Sequence, residues 1–143
     1  GGLRSLAEIH MRIIPRVSEA KLLSQRGVIC LMDISDGLKN DLEKLCKASD
    51  VSALLFAEQI PVHPLARQAF PEEYLSFAIS GGEDYELVFT ASSELLTSIL
   101  SEFPNLITII GRIESSSAKD VSIVDQNGVP LEFINGGWNH FLS

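Results

Sequence analysis

Apolar and polar positions alternate along this chain in short stretches whose period keeps changing. From Leu6 to Arg26 the spacing is helical with a break at Pro15, and Gly27 stands where a helix stop belongs. Val28 to Ile34, apolar except for Asp33, suits a fully buried strand. Asp36-Gly37 turns the chain into a helix over about Leu38 to Ala48. On it Leu38, Leu42, Leu45 and Cys46 share one face, and Lys39, Asp41, Glu43 and Lys44 fall largely elsewhere. Val51 to Ala57 predicts a second strand, followed by a Pro-rich turn and short helices near Pro64–Phe70 and Glu72–Ala78. After Ser80-Gly81-Gly82 come a strand over Tyr85–Thr90, a helix from Ser92 or Ser93 to about Phe103, and a strand over Ile107–Ile113. Val121–Asp125 and Val129–Phe133 flank Asn127-Gly128, a hairpin signal because both residues tolerate positive φ. Residues 136–141 suggest irregular structure. Strands interleaved with helices predict an α/β (α+β) fold, a mixed β-sheet with helices packed on it.

Length and composition narrow the field. The chain has 143 residues, which fits one domain with a single core. Hydrophobic residues at 45% and charged residues at 21% match an ordinary globular protein and exclude disordered or fibrous classes. A net charge of −8 argues against nucleic acid as a partner, since phosphate backbones need clustered Lys and Arg. It leaves room for a small anion reached through a metal ion. Cys30 and Cys46 form no CxxC pair and are expected as buried free thiols in a reducing compartment. No apolar run reaches the ~20 residues of a membrane helix, and no basic stretch with an apolar core opens the chain, so neither membrane nor leader is expected. The first Met is Met11, as in a segment of a longer polypeptide.

Three constellations could carry chemistry. Asp33-Ile34-Ser35-Asp36-Gly37-Leu38 places two carboxylates three residues apart at a strand-to-helix junction. Free N–H groups and a positive helix end there suit phosphate oxygens. The carboxylates would repel phosphate unless Mg²⁺ stood between them. The bland alternative is that Asp36 or Ser35 merely caps the helix. In Ser80-Gly81-Gly82-Glu83-Asp84-Tyr85-Glu86-Leu87 the glycines permit close backbone approach. Strand alternation sends Asp84 and Glu86 to one side and Glu83 to the other, so at most half of this acid cluster faces one site. In Gly136-Gly137-Trp138-Asn139-His140-Phe141 the single Trp could stack on a flat ring or plug the core. No GxxxxGK[ST], GxGxxG, HExxH or Gly-x-Ser-x-Gly framework is present.

In combination and order these segments, with Ile110-Gly111-Arg112-Ile113, closely resemble the carboxyl-terminal half of thiamine-monophosphate kinases. Met11-Arg12-Ile13-Ile14-Pro15-Arg16-Val17 resembles that family's bridge between two domains. The resemblance implies a fold like the carboxyl-terminal domain of aminoimidazole ribonucleotide synthetase. It implies that residues 1–143 form a single domain, with 1–26 the bridge and first helix and an amino-terminal ATP- and metal-binding domain absent. It further implies that Asp33 and Asp36 bind Mg²⁺, that Ser35 contacts ATP phosphate, and that Glu83 and Trp138 bind the substrate. Asp84 is a further candidate. Asn139 stands where an acidic residue is common in the family, which puts any charge role there in doubt.

The implied reaction is in-line transfer of the ATP γ-phosphoryl group to thiamine monophosphate in the cytoplasm. The implied cofactor is Mg²⁺, the implied partner is the absent domain, and the whole protein is expected as a homodimer. The chain alone is expected to turn over negligibly. The alternatives are another ATP-using synthetase of the same superfamily, a non-catalytic phosphate-ligand-binding module, and a purely structural scaffold.

Overall fold

The computed structural model describes residues 16–82, 86–134 and 137–140, with side chains described for 16–82 and 86–132. The helical stretch expected over residues 6–15 lies outside the described residues; the first helix among those described, α1 (Val17–Gln25), ends as Gly27 predicts. Gly27 adopts φ +97°. Its N–H donates to Ser24 O and the Val28 N–H to Leu23 O, both at 3.1 Å. This pair of bonds closes the helix and brings Val28 against Leu23, both buried.

Strand β1 (Cys30–Asp33) pairs antiparallel with β3 (Leu87–Thr90) in the register Leu31↔Phe89 and Met32↔Val88. The two-residue period then sorts the side chains. Leu31 and Phe89 turn to a smaller apolar cluster around Leu23, Val28 and Ile99. Met32 and Val88 turn to the main core. The ribbon therefore carries apolar residues on both faces, which explains the unbroken apolar run in the sequence. The strand is nevertheless half-buried rather than fully buried, because β3 is its one ladder partner among the described residues. Ile29 precedes the ladder and is 97% exposed.

The mixed sheet is the three-stranded one, in the order β4-β2-β5. Strand β2 (Ser52–Phe56) runs antiparallel to β4 (Gly111–Glu114) and parallel to β5 (Val121–Val124). Strand β4 starts later than the apolar run from Ile107 suggests. Ile107 instead packs on the smaller cluster. Gly111 begins the ladder because the backbones close tightly there: a Cβ would lie 2.2 Å from Leu54 O. Helix α2 (Leu38–Ser49) packs on β2 and β5, burying Leu38, Leu42 and Cys46 as its pattern predicts.

Two short helices, α3 (Pro64–Ala69) and α4 (Tyr74–Ser80), follow a 3-10 turn at Ala57–Gln59. Ile79 of α4 is fully enclosed in the main core. Helix α5 (Ser93–Glu102) is capped by Ser92, whose Oγ accepts the Leu95 N–H.

The expected hairpin about Asn127-Gly128 is held more loosely than its signal suggests. Gly128 takes φ +78°. The turn is tied by Asp125 Oδ1, which accepts the N–H groups of Asn127 and Val129 at 2.8 Å. One isolated β-bridge, Val124↔Pro130, and the Asp125 N–H donating to Val129 O at 2.9 Å join its arms. Pro130 has no N–H to extend a ladder. Strand β6 (Leu131–Ile134) pairs instead with β7 (Gly137–His140), a strand where an irregular tail is expected. Strand β7 lies against α4. Cys46 is a buried free thiol, while Cys30 is free and only half-buried.

Gly27 supplies a clean test of the helix stop. A Cβ there would meet nothing within 4 Å, so any cost of substitution is purely the backbone angle. Gly27→Ala should lower stability by about 1 kcal/mol in denaturant unfolding, with the slope unchanged.

Candidate functional site

At the end of β1 the ladder continues one step, as the Ile34 N–H donates to Glu86 O at 2.8 Å. Ile34 points into the main core while Asp33, Ser35 and Asp36 remain exposed. Gly37, at φ +97°, then starts α2 with no side-chain cap. Neither Ser35 nor Asp36 caps the helix, so the bland alternative for this motif is not what the structure shows.

What organises the loop is Asp41, one turn into α2. Its residue is 1% exposed, against the expectation that it falls away from the buried face. Asp41 Oδ2 accepts the N–H groups of Ser35 and Asp36, each at 2.8 Å. Its Oδ1 accepts from Lys44 Nζ at 2.9 Å, and the same ammonium donates to Asp36 Oδ2. The N–H groups of Ser35 and Asp36 are therefore engaged, not free for a phosphate as the junction alone implies. Burial pushes the Asp41 carboxyl up, but Lys44 and the two loop N–H groups together hold it below the ordinary aspartate value. Pairing with Asp36 and Asp41 raises Lys44 to about 12. The signal for Asp41 lay in the sequence. Position 41 lies on the stripe of Leu38, Leu42 and Leu45, and Lys44 follows at i+3, where an ion-pair partner sits on a helix.

The glycine-rich segment meets this loop backbone to backbone. A Cβ on Gly82 would lie 2.7 Å from Ser35 O, and one on Gly37 would lie 3.0 Å from Ser80 O. Side chains at either position would wedge the two loops apart. The DISDG and SGG motifs are thus one structural unit, although more than forty positions separate them in the chain.

The acid cluster divides. Glu86 is engaged by Arg16, whose Nε reaches Oε2 at 3.2 Å and whose Nη2 reaches Oε1 at 2.8 Å. Its carboxylate raises the Arg16 pKa. Glu83 and Asp84 lie outside the described residues. Trp138 is described in its backbone alone; it stands on β7 opposite Phe133 of β6, and β7 lies against α4, the helix that leads into Ser80-Gly81-Gly82. The structure thus sets Asp33, exposed at the end of β1, just before Ser35 and Asp36 on the exposed loop that leads into α2. It brings the backbone preceding Glu83 against that loop.

Among the described residues no group of three or more His, Cys, Asp or Glu side chains could hold a metal ion by itself. The donor set at this strand-to-helix junction is two exposed carboxylates, Asp33 and Asp36, the latter already paired with Lys44. Such a set fits a Mg²⁺ ion that completes its shell with water and substrate phosphate, not one held in an all-protein cage. Asp36 and Lys44 share an open groove with Asn40, Glu43 and Lys47.

No protein-family model matches the chain. It is 34% identical over 142 residues to the thiamine-monophosphate kinase of Buchnera aphidicola subsp. Schizaphis graminum (strain Sg), covering 96% of this chain and 43% of that protein. Against the thiamine-monophosphate kinase of Bacillus subtilis (strain 168) it is 35% identical over 136 residues, covering 92% and 41%. The chain therefore spans about two fifths of the length of these curated relatives. Among solved structures, AaThiL complexed with AMPPCP and TMP superposes with a TM-score of 0.73 at 26% identity, covering 99% of this chain and 42% of that one. The thiamine-monophosphate kinase of Stenotrophomonas maltophilia K279a gives 0.74 at 31%, covering 85% and 39%. A HypE–HypF complex gives 0.56 at 21% and shares the fold.

The depressed Asp41 carboxyl makes loop stability depend on pH. The unfolded chain binds that proton more readily than the folded one. The stabilisation is therefore complete above the ordinary aspartate pKa of about 4 and is lost as pH falls through the lower folded value. Asp41→Asn should destabilise the chain at neutral pH by roughly 1–3 kcal/mol, the cost of weakening buried charge-assisted hydrogen bonds. The gap between the two proteins should narrow below about pH 4 in unfolding curves taken across pH.

Proposed function

We propose that this chain, a homologue of thiamine-monophosphate kinases over the part of their length that it spans, forms the substrate-facing part of such a kinase. The reaction is transfer of the ATP γ-phosphoryl group to the phosphate of thiamine monophosphate, giving thiamine diphosphate. The chain acts as the carboxyl-terminal half of a two-domain cytoplasmic protein. An amino-terminal half supplies the rest of the ATP and metal site and pairs the protein into a homodimer. The relatives' shared name, with the AMPPCP and TMP present in the AaThiL complex, supports the substrate pair. The observation that carries the reading is the closure of the Ser35–Gly37 loop on Ser80–Gly82, which makes one surface from the acidic and glycine-rich motifs.

In this reading Asp33 and Asp36 hold Mg²⁺, which neutralises charge between two crowded phosphate groups. Ser35, exposed at the loop's tip, donates its hydroxyl to an ATP phosphate oxygen. Glu83, next in sequence to Gly82, contacts the phosphate of thiamine monophosphate. Trp138 packs against the same substrate, as an aromatic ring suits flat heterocycles. The attacking group is an already ionised phosphate oxygen, so the chain needs to align and neutralise more than to move protons.

Calorimetric titration with thiamine monophosphate, with and without Mg²⁺ and AMPPCP, tests ligand choice on this chain directly. Saturable binding weakened by Ser35→Ala and Asp33→Asn supports the reading; no binding under any of these conditions contradicts it. Turnover should be negligible for the chain alone. It should appear when the chain replaces the matching segment of the Bacillus subtilis relative, and Asp33→Asn should then lower kcat by about 100-fold or more.

A further inference from the structure

Asp36 is exposed, yet its carboxylate does not stand free: Lys44 Nζ donates to its Oδ2. Lys44 comes from the second turn of α2 and is itself held by Asp41 Oδ1 at 2.9 Å. Asp41 in turn is almost wholly buried and grips the backbone of the residue it serves, through the N–H groups of Ser35 and Asp36. The arrangement is a closed ring: backbone of the loop, buried carboxylate, ammonium, and back to the loop's own side chain. An ammonium donating to Asp36 Oδ2 neutralises the same carboxylate that a divalent cation would need. A lysine on a four-carbon stem can move off that oxygen while staying bonded to Asp41, because its head keeps two further protons for other acceptors.

We propose that Asp41 is a positioning residue and Lys44 a resident counter-ion, which together hold Asp36 in place until a divalent cation displaces the ammonium from it. Asp41 sets the loop's backbone and keeps the lysine near. Lys44 neutralises Asp36 while no cation is bound and withdraws toward Asp41 when one arrives. The open groove shared by Asp36, Lys44, Asn40, Glu43 and Lys47 gives the ammonium room to move. This inference rests on the reading of Asp36 as a cation ligand.

The two residues then act on cation affinity with opposite sign, which a merely structural role would not produce. Removing the competing ammonium favours the cation, whereas removing the buried negative charge disfavours it and leaves Lys44 with Asp36 as its remaining partner. The test uses Mn²⁺ alone as probe, read from paramagnetic broadening of the Ser35–Gly37 amide resonances during titration, together with amide hydrogen exchange. Lys44→Met should tighten Mn²⁺ binding about three- to tenfold, the size expected of one nearby charge in a wet site. Asp41→Asn should weaken it by a similar factor and speed exchange of the Ser35 and Asp36 amides. Lys44 is exposed, so its substitution reads the competition even if the Asp41 variant fails to fold.

Unchanged or weaker Mn²⁺ binding in Lys44→Met overturns the proposal, as does Asp41→Asn with both affinity and slow exchange retained. An Asp36→Asn control separates the two levels. If it binds Mn²⁺ as the unaltered chain does, Asp36 is no cation ligand, and the functional reading fails together with this inference.

Discussion

Two backbones in contact, with no side chain between them, hold this site together. Residues 35–37 and 80–82 approach so closely that a single Cβ on Gly82 would lie 2.7 Å from a carbonyl oxygen. Such closeness excludes every residue but glycine there without movement of one loop. Each loop is separately anchored. The first is continuous with the β1–β3 ribbon and the start of α2, and the second emerges from α4, whose Ile79 is sealed in the core. Because both anchors sit on the main core, the contact transmits the rigidity of the whole domain to an otherwise exposed acidic loop.

Electrostatics completes what the glycines begin. Two carboxylates, at the end of β1 and on the loop after it, concentrate negative charge that a cation relieves. The chain supplies one cation of its own, Lys44, tethered by a buried aspartate that also fixes the loop backbone. The buried charge at position 41 is tolerable because three donors satisfy it, the arrangement in which a buried carboxylate stays ionised. The chain's net charge of −8 gives no basic surface to relieve the two carboxylates, so the relief is local.

Much of this was legible in the sequence. The α2 stripe, the Gly27 stop, the Ser92 cap and the order of strands and helices follow from periodicity and end signals, because local propensity and burial agree at those points. Less was legible where tertiary pairing decides. The β1 run looked fully buried because its apolar residues serve two different clusters on opposite faces. Residues 137–140 looked irregular because glycines and a lone Trp carry no strand period, yet pairing with β6 makes them a strand. The hairpin signal at Asn127-Gly128 set the turn correctly but not the ladder, since Pro130 interrupts it. In the candidate site, the motif carboxylates were visible, while the signal for Asp41, a place on the apolar stripe with Lys44 at i+3, was set against its charge. Charge at position 41 argued for the surface, and only its three donors explain its burial. Nothing local in the sequence announces that Gly37 and Gly82 oppose the other motif's backbone.

The contact between the two loops can be measured directly in solution. Amide chemical shifts of the Gly82→Ala chain, compared with those of the unaltered one, report which backbone the added methyl displaces. The account predicts the largest changes away from the substitution at Ser35, Asp36 and Gly37, with core positions such as Ile79 and Ile99 little moved. Changes confined to the immediate neighbours of residue 82, with residues 35–37 unaffected, would contradict it.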